Sequence, residues 1–236
     1  MTHTAAKRAL RAALLLAAAA APAAAQDVGH MPEESPFRDL PYRQEITFFG
    51  GYFLAARDPA GVAPTSGPMA GARYEIRIGG PAQFYARTAF ALSERDVVNP
   101  RLAPGARELG TESVTLGLAD VGISLNLTGQ RSWHGVVPLV TGGAGIVTDF
   151  ASPDVGGFRL GTPFAITLGA GVRWTSGGNW QVRADVTDYL YQVKYPPLYF
   201  QAPAQNVAPV LPPNSKQSVW KHNAALTLGV SYLFFR

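Results

Sequence analysis

The sequence predicts an all-β fold, an eight-stranded antiparallel transmembrane β-barrel with short periplasmic turns and long extracellular loops. Three observations carry that expectation. Apolar and polar residues alternate with period two in eight segments, the signature of strands with two different faces. Long and short connections alternate along the chain, as they do where every second turn lies on the same side of a membrane. Charged residues share their strand face with glycines and other small residues, which a narrow lumen filled by large side chains requires.

The chain opens with a basic stretch, Lys7, Arg8 and Arg11, followed by the apolar run from Ala12 to Ala20 and the small residues Ala23, Ala24 and Ala25. This is the pattern of a cleaved export signal over residues 1–25, with cleavage before Gln26. The run is too short and too alanine-rich for a spanning helix of roughly 20 residues. Removing the signal lowers the formal charge of +4 by three, to +1, so no basic surface for nucleic acid is expected. There is no cysteine, hence no disulfide framework and no lipidated cysteine behind the cleavage site. Residues 26–43, with Pro32, Pro36 and Pro41 among acidic side chains, read as an irregular periplasmic tail or partial plug. Residues 44–236 are assigned to the barrel, with no cell-wall-binding domain expected behind it.

The eight segments are 45–55, 69–78, 82–93, 113–128, 133–147, 164–175, 180–191 and 223–235. Most have the ten or so residues that a tilted strand needs to cross a bilayer. The first is followed by a loop containing Asp58-Pro59-Ala60-Gly61, and the second by only Gly79-Gly80-Pro81. The third ends in the long stretch 94–112, the fourth in Gly129-Gln130-Arg131. Then come the long loop 148–163, the tight Ser176-Gly177-Gly178-Asn179 and the longest loop, 192–222.

The last strand sets the phase: Leu226, Leu228, Val230, Tyr232 and Phe234 share one face, Thr227, Gly229 and Ser231 the other. In the other segments the second face collects Arg73, Glu75, Arg77, Arg87, Asp120, Arg173, Arg183 and Asp185, which are expected to form an ion-paired core inside the lumen. A soluble lipocalin-like barrel would turn the apolar face inward instead. The inverted arrangement is favoured by the small residues beside the charges and by the aromatics: Trp133, Trp174 and Trp180 beside short turns, Trp220 and Tyr189 toward the long loops, Tyr232 and Phe234 closing the last strand. Together these are expected to form the girdles of a lipid interface.

Three stretches carry a family resemblance. They are Val137-Pro138-Leu139-Val140-Thr141-Gly142-Gly143-Ala144-Gly145, Val182-Arg183-Ala184-Asp185-Val186-Thr187-Asp188-Tyr189 and Leu228-Gly229-Val230-Ser231-Tyr232-Leu233-Phe234. Over roughly residues 45–235 the chain resembles the outer-membrane β-barrel family that includes OmpA-type transmembrane domains and small barrels such as OmpX. The resemblance implies an eight-stranded monomeric barrel in the outer membrane of a Gram-negative-type bacterium. It also implies outer-membrane lipid and lipopolysaccharide as surroundings, and the barrel-assembly machinery as partner during biogenesis.

For function, the expectation is a structural or surface-interaction barrel with a filled lumen, no cofactor, no metal and no catalytic site. Two alternatives stand beside it. Pro138 with Gly142, Gly143 and Gly145 could interrupt the wall for a narrow or lateral path for small compounds, apolar ones among them. His222 with Ser218 or Asp188 is the one constellation that a lipid A-modifying hydrolase or transferase could use. The final loop, with Tyr191, Tyr195, Tyr199 and Phe200, reads as a lid over the barrel mouth or as a set of aromatic anchors for a partner.

Overall fold

The computed structural model describes residues 35–234, so the export signal and the first part of the tail lie outside the described residues. The chain divides into a unit Met1–Pro36 and a unit Phe37–Arg236, and the barrel lies in the second. Its strands in chain order are β1 Phe37–Asp39, β2 Gln44–Leu54, β3 Gly67–Gly79, β4 Ala82–Val98, β5 Glu108–Asn126, β6 Arg131–Trp133, β7 Val136–Thr148, β8 Phe164–Thr175, β9 Trp180–Lys194 and β10 Ser218–Phe234.

Strands β2, β3, β4, β5, β7, β8, β9 and β10 pair antiparallel in succession, and β10 returns to β2 to close the ring. The closing seam runs from Ala224 opposite Leu54 to Phe234 opposite Gln44. The two remaining strands form a small flap at the short-turn end, where β1 pairs with β6 and β6 touches β7 only at Trp133–Val136. That end of the barrel also buries Leu40 and Tyr42 against Val137 and Leu233. Trp133, expected to begin the fifth strand, belongs instead to β6. The chain turns at His134 and Gly135, both with positive φ, before β7 starts.

Period-two alternation places large apolar side chains on the outside of the ring. Phe48, Leu168, Leu228 and Trp174 are each more than 60% exposed, which in water would be an untenable apolar surface and in a bilayer is the lipid contact. Inside, Glu45, Glu75, Arg173 and Arg183 are at most 1% exposed. Closure satisfies the strand edges along the membrane-spanning length, a condition for β-structure in hydrocarbon. Because charge on the lipid face costs about 2–4 kcal/mol at mid-bilayer, Leu228→Arg is expected to lower stability by that amount in lipid vesicles. Urea titration of the folded, heat-modifiable form would measure it.

One boundary differs strongly from the expectation. Residues 94–98 and 108–112, read as part of a loop, continue β4 and β5 as a paired hairpin. Glu94 and Asp96 take the outward face there, which a strand inside the apolar belt would not carry. The hairpin keeps its ladder because at this height it has left the apolar belt.

Candidate functional site in the lumen

The lumen is built in three layers. At the short-turn end, Glu45 of β2, Glu75 of β3, Arg173 of β8 and Arg183 of β9 converge from different walls. Glu75 is the hub: it accepts from Arg73, from Arg173 and from Arg183 Nη1, the last at 2.8 Å. Glu45 lies 3.2 Å from Arg183 Nη1 and 3.5 Å from Arg173 Nε, and accepts from Gln181 Nε2 at 2.8 Å. Arg173 also donates to Gln83 Oε1 (2.6 Å), Asn126 Oδ1 (3.1 Å) and the Tyr42 hydroxyl (3.2 Å), so its guanidinium spans the bore.

The middle layer is a second charge cluster. Asp120 accepts two bonds from Arg87, at 2.9 and 2.8 Å, and one each from the Tyr85 and Thr167 hydroxyls at 3.0 and 3.1 Å. Arg183 grips Asp185 with Nε and Nη2 at 2.6 and 3.0 Å. Arg73 stacks over the Tyr85 ring at 3.8 Å. Glu45, Glu75, Asp120 and Asp185 thus balance Arg73, Arg87, Arg173 and Arg183, and such balance makes buried charge tolerable. Room for these side chains comes from small residues opposite them. A Cβ at Gly143 would fall on the Tyr85 hydroxyl and the Val121 carbonyl.

Above the charges the lumen turns apolar. Phe53, Met69, Leu116, Leu118, Val147, Tyr189 and Tyr191 line it, and the long loops fill it from above with Phe158, Leu160, Tyr195, Tyr199 and Leu211. Phe158, Tyr195 and Tyr199 stack in series with centroids 6.3 Å apart. Asp58 ties this cap down, accepting from the Tyr195 hydroxyl at 2.8 Å and from the Ala60 and Ala63 amides. The final loop therefore packs as a lid: of its aromatics, Tyr195 and Tyr199 are buried and Phe200 partly so.

Burial, reinforced by the Asp58 carboxylate for Tyr195 and the Asp154 carboxylate for Tyr199, pushes both phenols above their ordinary range. The folded chain therefore holds these protons more tightly than the unfolded one. Their contribution is complete below about pH 10, the ordinary phenol value, and is lost as pH rises beyond it. Cleavage at Tyr199 or Phe200 by a subtilisin-type protease that stays active in alkali is expected to be slow at pH 8 and faster near pH 11, relative to its rate on an unfolded peptide of the same sequence.

Among the expected core residues, seven take these places, and Arg77 stands apart. It lies toward the short-turn rim, its Nη2 donating to the Leu40 carbonyl at 2.7 Å and its guanidinium 5.6 Å from the Tyr42 ring. At its level the register brings Gln83 and the N-terminal segment, not a carboxylate. Tyr189 is a second correction. It shares the inward phase of Arg183 and Asp185, is 1% exposed, and lies with its ring 5.1 Å from the Arg87 guanidinium instead of in a girdle. Trp133, Trp174, Trp180, Trp220 and Tyr232 lie on the outer surface, and Phe234 is half-buried beside Tyr232 and Tyr74.

Glu45, Gln83, Asn126 and Tyr42 belong to the core although none was expected as a site residue. Glu45 and Thr47 do alternate with Ile46 and Phe48, but Phe49 and Phe53 on the same face as Glu45 hide the phase of that strand.

The two alternative constellations are also placed. His222 Nδ1 lies 2.6 Å from Asp188 Oδ2 on the outer wall, while Ser218 Oγ pairs with Gln192 Nε2 at 2.9 Å. The hydroxyl is therefore not joined to the imidazole. The Pro138–Gly145 stretch keeps register with β8 at every step from Pro138–Val172 to Gly145–Ala165, so the wall is continuous there. Among the described residues no group of three or more His, Cys, Asp or Glu side chains could hold a metal ion.

A closed antiparallel ring with an apolar exterior and a charged, side-chain-filled interior defines a transmembrane β-barrel. No protein-family model and no curated protein sequence matches this chain. Among solved structures it is similar to Neisserial surface protein A, with 13% identity over 81% of this chain and 97% of that one, TM-score 0.48. It is also similar to the N-terminal β-barrel domain of Pseudomonas aeruginosa OprF, at 13% identity over 84% and 100% of the two chains, TM-score 0.45. A third similar structure is the outer membrane protein AlkL, at 13% identity over 88% and 97%, TM-score 0.45.

Proposed function

We propose that the protein is a monomeric outer-membrane barrel whose lumen is closed and whose role is structural and surface-interactive, with the long loops outside the cell. The observation that supports a closed lumen is the balanced cluster around Glu75 and Asp120 under the apolar cap of Phe158, Tyr195 and Tyr199. An eight-stranded ring leaves an interior that side chains just fill, and here guanidinium groups reach from wall to wall. Outer-membrane lipid and lipopolysaccharide are its surroundings in this reading, and the assembly machinery its partner during insertion.

Reconstitution into planar bilayers tests the reading. No large, stable single-channel conductance is expected from the full-length mature protein. A steady open level of porin-like size would overturn it. The lipid A profile of cells overproducing the protein is expected to be unchanged, since among the described residues no hydroxyl nucleophile is joined to the outer-wall His222–Asp188 pair.

A further inference from the structure

The loop that follows β7 leaves the sheet through a residue held against its own backbone preference. Phe150 has a φ of 51°, in the left-handed region that suits glycine or asparagine and costs a ring-bearing residue energy. Its ring is not drawn into the cap. The residue is 71% exposed and folds out over Gly117, where a Cβ would lie 2.7 Å from the ring. Gly117 stands in the outward phase of β5, opposite Phe90 of β4, and is buried although it faces out. Leu92 of β4 and the Ile146–Phe164 pair of β7 and β8 continue the same exposed apolar wall on either side. In water a strained backbone that presents an uncovered ring would gain nothing. Among acyl chains, burial of the ring offsets the strain.

The same turn is where the cap is fastened. Asp149, next to Phe150 in the chain, is buried. Its carboxylate accepts from the Ala151 amide at 3.2 Å and the Leu160 amide at 3.0 Å, with Arg95 Nη1 at 3.8 Å. Thr148 closes the base of the loop, its hydroxyl 3.1 Å from that of Thr162. Leu160 and Phe158 are members of the apolar cap, and Phe158 stacks on Tyr195. Two adjacent residues thus join an outward ring to a buried carboxylate that positions the cap, and displacing one displaces the other.

We propose that Phe150 is a peg set in the acyl layer of the membrane, which fastens loop 149–160, and with it the apolar cap, to the bilayer. Lipid is the occupant because the ring continues the exposed apolar wall at its upper margin. This rests on the reading that the apolar outer wall meets lipid. The test uses the full-length mature protein in phosphatidylcholine nanodiscs, one copy per disc, with a nitroxide on the upper acyl chain. The ring signals of Phe150 are expected to broaden as much as those of Phe164 on the wall, while those of Phe158 in the cap stay sharp. Broadening at Phe164 without Phe150 overturns the peg and leaves the wall in lipid. No broadening at Phe164 overturns the wall reading itself. Loss of the Phe150 broadening when two copies share a disc means that a second barrel covers the ring, and it overturns the peg as well. Phe150→Asn places a residue that tolerates the turn and removes the ring. Amide hydrogen exchange in residues 149–160 is then expected to quicken about tenfold, and to stay near the original rate in Phe150→Trp. Exchange that is unchanged or slower in Phe150→Asn would mean that the ring only strains the loop, and the fastening of the cap would fall.

Discussion

Glu75→Ala is expected to destabilise the barrel by about 3–5 kcal/mol, the cost of leaving buried charge without its partner. Three guanidinium groups, those of Arg73, Arg173 and Arg183, point at this carboxylate. Its removal leaves four buried arginines against Glu45, Asp120 and Asp185. Glu45 is close enough to Arg173 and Arg183 to offset part of the loss, but it lies on the far side of both from Arg73 in the bonding pattern. The urea midpoint of the vesicle-embedded protein is the measurement. Pairing Glu75→Gln with Arg173→Gln restores charge balance and is expected to recover part of the stability, which a purely steric defect would not allow.

Asp120→Ala is the second large effect, expected at about 3 kcal/mol or more. Asp120 accepts four hydrogen bonds from Arg87, Tyr85 and Thr167, and its loss leaves Arg87 with Thr187 Oγ1 at 2.8 Å and the Tyr189 ring. Because a buried ion pair can be exchanged for apolar groups of similar volume at little cost, Arg87→Met combined with Asp120→Ala is expected to be more stable than Asp120→Ala alone. A double variant as weak as the sum of its single changes would argue that the pair is solvated and not buried.

The alternation of β8, β9 and β10 is readable from the chain because each has one clean apolar face, as in Ile166, Leu168, Ala170 and Val172 against Thr167, Gly169, Gly171 and Arg173. The same parity, carried further, puts Tyr189 inside; its type pulled it toward a girdle, and parity is the stronger constraint because a one-residue slip would turn every side chain of β9 over. The height at which each strand leaves the apolar belt was not readable. Glu94 and Asp96 look like a strand end when membrane burial is assumed, yet a ladder in water tolerates them. Nor does local sequence mark Tyr42 as part of the floor, since it precedes the first strand of the ring, β2, and reaches Arg173 only through the closed ring. The charge cluster itself was legible as a set of residue types in one phase. Its pairing depends on register across walls distant in sequence, as for Glu75 and Arg183.

The chain has no cysteine, so single cysteines introduced along one strand report cleanly on their surroundings. The decisive measurement is quenching of a fluorescent label, placed in turn at positions 224 to 231 of β10, by brominated acyl chains in reconstituted vesicles. Strong quenching at Ala224, Leu226, Leu228 and Val230, with weak quenching at Ala225, Thr227, Gly229 and Ser231, is the expected result. Quenching in the opposite phase, or none at any position, would mean that the greasy face of the sheet does not meet lipid and that the arginine-bearing face is not the interior.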